Sequence, residues 1–181
     1  MIGIALISYG PISDILSLEP LLGGCDCEGI EKMIADAEGR ENCVYKDSLG
    51  IKTIGIGFNM ERSDGKKVFS ACGADFDAWY NEIDCLTEPQ IECIFQHDLE
   101  WATSGAANWI DSYSIHETCV QNVLIDMTFN MGKNSLCSWD NFKTQLRAKD
   151  YQAAASNMES TKWCSQVGRR CTRNVNIVRS C

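Results

Sequence analysis

The sequence predicts an α+β fold of two lobes: a small N-terminal lobe with a β-sheet, a bridging helix, and a C-terminal helical lobe. Three observations predict it. Strand-like residues concentrate in one glycine-punctuated stretch, "CVYKDSLGIKTIGIGF" (43–58), so the sheet is small. Beyond about residue 87 the apolar residues recur at helical spacing. The chain has 181 residues, 45% of them apolar, enough for one domain or two intimate lobes with a real core. The expected limits are about 28–86 for the small lobe, 87–104 for the bridging helix and 105–181 for the helical lobe.

The first 27 residues read as a leader or an N-terminal extension. "IGIALI" is like the apolar part of a signal peptide, but it is short and no Lys or Arg precedes it. "EGIEKMIADAEG" spaces Ile30, Met33, Ile34 and Ala37 as a short amphipathic helix closed by Gly39. The stretch 43–58 reads strand, turn, strand, with Asp47 and Gly50 at the ends of the turn. "FNMERSDGKKVFSACGADF" is polar and turn-rich and is expected to complete a small sheet or loop region. Thr87 caps the next helix, with Pro89 in its first turn and Ile91, Ile94, Phe95, Leu99 and Ala102 buried. "VQNVLIDMTFNMG" is apolar nearly all round, which suits the centre of a bundle, and Gly132 ends it. Four shorter helices are expected from near Asp140, Asp150, Ser160 and Thr172.

Eleven cysteines are spread along the whole chain, with no CxxC pair and only two histidines, His97 and His116. That distribution reads as a disulfide framework made in an oxidising compartment, so a secreted, extracellular protein. Because the count is odd, about five bonds and one remaining thiol are expected. No apolar run approaches the roughly 18 residues of a membrane span. A formal charge of −9 argues against nucleic acid, whose phosphates need a basic face. The charge is uneven: residues 1–142 hold 8 basic and 23 acidic residues (8 − 23 = −15), and residues 143–181 hold 8 and 2 (8 − 2 = +6). The basic tail is either a solvated helical face or a source of positive charge beside a site for an anionic substrate.

The chemistry gathers in "EGRENCVYKDSLGIKTIGIGF" (38–58). Glu38 falls at a helix end whose dipole disfavours the carboxylate, whereas Asp47 opens a turn whose N–H groups favour it. Two carboxyls pushed apart in this way form a proton donor and a proton acceptor at one pH, the requirement for glycoside hydrolysis. Thr53 offers a hydroxyl to hold water, and Gly55 and Gly57 offer bare backbone to a polymer. By spacing alone, acids flanking a turn more often do nothing but face water.

This stretch resembles the signature of phage-type (T4-type) lysozymes: Glu-Gly, then Tyr, Asp and Thr at seven, nine and fifteen residues after the Glu, then Ile-Gly-Ile-Gly. "VLIDMTFNMG" and "AAASNMESTKW" are similar to two further segments of that family, and the likeness covers about residues 28–181. It implies a lysozyme-like two-lobed fold and inverting cleavage of the β-1,4 bond between N-acetylmuramic acid and N-acetylglucosamine. It further implies peptidoglycan as the macromolecular partner, no metal and no cofactor, and we expect a monomer. Glu38 is then the general acid, Asp47 the general base and Thr53 the water-positioning group. Tyr45, Gly57, Phe129, Asn130, Asn157 and Lys162 are the implied substrate contacts. By pattern alone Phe129 and Trp163 are core-like, Asn157 suits a helix cap and Lys162 a solvated face. The chain departs from the family at Phe58, where a His usually stands to pair with the acid at Asp98, leaving Asp98 in need of a partner. Asn130 replaces Gln, and Leu49 replaces an acid. The alternative reading is a non-catalytic binder of peptidoglycan or chitin oligosaccharides.

Overall fold

In the computed structural model, residues 25–181 are described, so most of the N-terminal leader or extension lies outside the described residues. Helix α1 (Ile30–Glu38) buries Met33 and Ile34 and stops at Gly39, whose φ of +79° suits a residue without a Cβ. A three-stranded antiparallel sheet follows in the order β1 (Glu41–Lys46), β2 (Lys52–Gly55), β3 (Phe58–Asn59). The β1–β2 turn closes with Gly50 N donating to Asp47 O at 3.0 Å, as the Asp–Gly spacing predicts. Tyr45 and Thr53 face each other across that pair.

The polar stretch after β3 is helical where loop or sheet was expected: α2 (Gly65–Ala71) and α3 (Phe76–Tyr80). Here packing overrides composition. Phe58, Phe69, Phe76 and Trp79 form a chain of aromatic contacts that makes the small lobe's own core. The bridging helix α4 (Glu88–Trp109) starts as predicted, with Gln90 Oε1 accepting from Thr87 N at 2.9 Å. It runs five residues beyond its expected end near 104, burying Gly105, Ala106 and Trp109 against the helical lobe. A Cβ on Gly105 would stand 2.9 Å from the Thr128 methyl, so this glycine permits the close approach of α4 to the next helix.

That helix, α5 (Thr118–Met131), is buried over nearly its whole length and ends at Gly132, φ +78°. Around it lie α6 (Lys133–Leu136), which periodicity did not reveal, then α7 (Asp140–Arg147), α8 (Tyr151–Glu159), α9 (Lys162–Val167) and α10 (Arg169–Ser180). The last begins three residues before its expected start at Thr172.

Five disulfides staple the lobes: Cys25–Cys181, Cys27–Cys119, Cys43–Cys85, Cys72–Cys93 and Cys164–Cys171. Cys137 is free and exposed, which matches the expected five bonds and one thiol. Cys25 and Cys27 are both bonded to the helical lobe, so the cross-linked unit reaches back to residue 25. Among the described residues no helix is long and apolar enough to cross a membrane.

Candidate active site

Glu38 ends α1 where the chain turns into the sheet, and its carboxyl sits between two cavities. One, of about 800 Å³, is lined by Glu38, Ser48, Asn130 and the arginines Arg169, Arg170 and Arg173. The other, of about 770 Å³, is lined by Glu38, Gly57, Arg62, Trp101, Phe129 and Asn130 among others. Glu38 and Asn130 border both, so the pair of cavities reads as one cleft with Glu38 at its middle.

Asp47, Tyr45 and Thr53 belong to the β1–β2 hairpin and line neither cavity, although Ser48, the residue after Asp47, lines the first. Asp47 Oδ1 accepts from Leu49 N at 2.8 Å and Ile51 N at 2.9 Å, which fixes the carboxylate's direction. Tyr45 lies in β1, two residues before Asp47. Its phenol is pushed up by burial first, then by the charges of Glu38, Glu41 and Asp47. Tyr45 therefore stands within electrostatic reach of both candidate catalytic carboxyls. Thr53 is buried and donates its hydroxyl to Ile51 O at 3.2 Å.

Gly57 has a role that spacing did not reveal. With φ at +69°, a Cβ there would stand 2.8 Å from Glu38 Oε2. The missing side chain makes room for the carboxyl as well as for anything lying in the cleft. Gly55, expected to offer bare backbone to a polymer, faces the other way, toward Ile91 and Leu86.

Behind Glu38 lies a buried ionic cluster that sequence reasoning missed. Arg170, only 8% exposed, donates from Nη1 to Glu38 Oε1 at 2.5 Å. Its Nε and Nη2 hold Asp126 Oδ2 and Oδ1, each at 3.0 Å. Asp126 is 0% exposed and also accepts from Asn174 Nδ2 at 2.7 Å. Arg173 Nη2 lies 3.1 Å from Asp126 Oδ1, a charge contact without hydrogen-bond geometry, and its Nη1 caps Met33 O at 2.7 Å. Burial works against the Arg170 charge, but Asp126 and Glu38 outweigh it and hold the guanidinium's proton more firmly. A signal was present: Asp126 is the one charged residue of a helix whose pattern marks it as buried, and a buried acid needs a cation. Arg170, Arg173 and Asn174 share a face of α10 at i, i+3, i+4 and supply it.

Arg62 likewise fills the place left by Phe58. Its Nη1 bonds Asp98 Oδ2 at 2.7 Å, its Nε and Nη2 grip Asp64, and its guanidinium lies 4.6 Å over the Phe58 ring. The strand-to-helix link is thus rebuilt from a residue four positions on, with Phe58 as its stacking surface. The Arg62 hydrogen bonds hold the Asp64 carboxyl below its ordinary range.

The remaining implied contacts divide. Gly57, Phe129 and Asn130 line the cleft with Glu38. Phe129 is half-buried, edge-on to Phe95, and Asn130 Oδ1 accepts from Trp163 Nε1 at 2.8 Å. Asn157 and Lys162 line a separate hollow of about 570 Å³ beside Trp139 and Trp163, joined to the cleft through the Trp163–Asn130 bond. Lys162 is exposed, whereas Arg169 and Arg170 bring the basic tail to the cleft itself.

Comparison with known proteins bears on this arrangement. The family model "Phage lysozyme" matches residues 35–176, a span that holds both carboxyls, Thr53 and the Arg170 cluster. The chain belongs to the phage lysozyme family. It is a glycoside hydrolase of the lysozyme type, with peptidoglycan as the substrate class. Among its relatives is "Probable T4-type lysozyme 1" of Dictyostelium discoideum, 26% identical over 163 residues, covering 83% of this chain and 94% of that protein. "Probable T4-type lysozyme 2" of the same organism is 24% identical over 156 residues, covering 82% and 92%. The five disulfides are consistent with a secreted member of this family.

Proposed function

We propose that the protein is a secreted, monomeric, inverting muramidase acting on bacterial walls in defence or digestion. Glu38 is its general acid, Asp47 its general base and Thr53 its water-positioning group. The observation that supports this most is the position of Glu38 at the junction of two cavities, one of them also lined by Ser48 of the turn that Asp47 opens. A sugar chain laid through the cleft crosses Glu38 at its middle, where the scissile bond belongs.

In the reaction, Glu38 gives its proton to the glycosidic oxygen as the bond from the anomeric carbon to that oxygen breaks. Water attacks the same carbon from the opposite face and loses a proton to Asp47. The new hydroxyl then has the inverted configuration, and both carboxyls regain their starting states by exchange with solvent. Room for the water needs carboxyls about 6.5–9.5 Å apart. Arg170 holds Glu38 Oε1, and Gly57 leaves space beside Oε2, so the carboxyl is oriented by one oxygen and acts through the other. Tyr45, Gly57, Phe129 and Asn130 contact substrate in this reading, and Asn157 and Lys162 contact it where it extends past Trp163.

The test is proton NMR of the first sugar released from purified peptidoglycan. An α product is expected; a β product would make Asp47 a nucleophile and the enzyme a retaining one.

A further inference from the structure

Helix α4 carries Ile94, Asp98, Trp101 and Gly105 along one ridge at the spacing i, i+4, i+7, i+11. All but Trp101 are buried. Trp101 remains 45% exposed and lines the cavity that begins at Glu38, together with Phe129, Gly57 and Gly132. At this point the bridging helix has left the small lobe's core and runs along the cleft. A tryptophan on that ridge shows its indole to the cavity, where a small or polar side chain would have avoided exposing apolar surface. Polar groups edge the same cavity: Asn59, Ser63 and Asn130. Arg62, held in place by Asp64 and Asp98, forms a rigid wall.

We propose that Trp101 is the platform of a saccharide subsite on the Gly57–Phe129 side of Glu38, stacking its indole face on an N-acetylhexosamine ring. A pyranose presents a patch of C–H groups on one face and hydroxyl and acetamido groups around its rim. An aromatic floor with amide and hydroxyl groups at its edge matches both, because the ring's apolar face is dehydrated while the rim keeps its hydrogen bonds. The electron-rich face of the indole also attracts the weakly positive C–H groups of the sugar. Asn59 and Asn130 each bring a carboxamide suited to an acetamido group. The occupant is therefore a sugar of the wall polymer rather than a protein helix, which would leave these polar groups unpaired in a cavity of this size. This proposal rests on the muramidase reading for its polymer, but the subsite is defined by its own residues.

The role is that of binding the chain, not of proton transfer. Stacking is present in the ground state and the transition state alike, so removing it raises KM and leaves kcat nearly unchanged. With one face of an indole lost, about a tenfold rise in KM is expected for Trp101→Ala. Trp101→Phe keeps a smaller platform and should fall between. The experiment has two parts: kinetics of the wild type and both variants on soluble N-acetylglucosamine–N-acetylmuramic acid oligomers, and an NMR titration with those oligomers. The Trp101 indole N–H resonance is identified by its loss in Trp101→Phe.

A shift of that resonance, with the KM rise and intact kcat, supports the subsite. If the wild type hydrolyses the oligomers but the resonance stays still and KM is unchanged in Trp101→Ala, the subsite is refuted and the muramidase reading stands. If the resonance shifts but no hydrolysis occurs, the saccharide site stands and the muramidase reading falls. Neither shift nor hydrolysis would overturn both.

Discussion

Glu38 is held by two residues whose removal should have different effects. Gly57→Ala places a methyl group against Glu38 Oε2 at a backbone angle that resists any side chain. A displacement of about 1 Å at a reacting group costs on the order of 10²-fold in rate. The expected outcome is a large loss of kcat on purified walls with a small change in melting temperature. Arg170→Met is expected to do the reverse first, because it leaves Asp126 charged and buried with its main partner gone. Breaking such a pair costs about 3–5 kcal/mol. The double variant Arg170→Met with Asp126→Leu should recover part of that stability in urea titrations, since the buried carboxylate is gone, while Arg173 and Asn174 still lose their partner. It should not recover activity, since Glu38 has lost the group that orients it. Recovery of both would show that the cluster serves only the fold. Glu38→Gln should abolish hydrolysis while leaving binding to walls intact, measured by pull-down on intact peptidoglycan.

At the scale of elements, two connections decide how the parts are joined. Arg62 ties the loop after β3 to α4, and its replacement by Met should loosen the small lobe by removing hydrogen bonds to Asp64 and Asp98 together. The 3₁₀ turn Tyr113–Ile115 is joined to α8 by His116, whose Nε2 is 3.1 Å from Ser112 Oγ and Nδ1 2.9 Å from Tyr151 Oη. Burial pushes this imidazole below its usual value, and the charge of Lys149 adds to the effect. A depressed histidine takes up its proton in the unfolded chain before it does so in the fold. Its contribution to stability is therefore complete above the ordinary value of 6.5 and declines as pH falls from there through its lower folded value. The unfolding midpoint of the wild type should drop between pH 7 and pH 5, and His116→Gln should flatten that drop. An unchanged slope would show that this imidazole is protonated in the fold as readily as in solution.

For the molecule as a whole, the disulfides and the charge asymmetry carry the predictions. Each bond removes freedom from the unfolded chain, about 2–4 kcal/mol apiece, and Cys25–Cys181 closes a loop with a sequence separation of 156. Mass analysis with thiol labelling of the native protein should find one modified cysteine, Cys137; reduction should then lower the melting temperature steeply. The −15 body and the +6 tail meet at the cleft through Arg169, Arg170 and Arg173. Arg169→Glu should weaken binding to anionic wall polymer and reduce its salt dependence, while Lys162→Glu, in the neighbouring hollow, should do so less. Equal effects would place both bases along the bound chain.

Local chemistry was legible in the sequence because it depends on neighbours along the chain. The Thr87 start of α4, the Asp47–Gly50 turn and the Gly39 and Gly132 helix ends all follow from contacts within a few residues. The number of disulfides followed from an odd count of well-spread cysteines, though not which cysteine joins which. The helices α2, α3 and α6 were hidden because short segments owe their form to packing rather than to periodicity. The Arg170–Glu38 pair spans 132 residues of sequence and the Arg62–Asp98 pair 36. Which cation meets a buried acid is decided by which faces pack together, and no local pattern encodes that. The direction of a glycine was hidden for the same reason. Gly55 and Gly57 are two letters of one repeat, yet one faces the bridging helix and the other the candidate acid. The sequence by itself determined the family, the candidate carboxyls and the cross-linked character of the protein. Only the tertiary structure decided what holds Glu38 in place and which aromatic residue faces the cleft, because buried charge and exposed apolar surface are properties of the packed molecule.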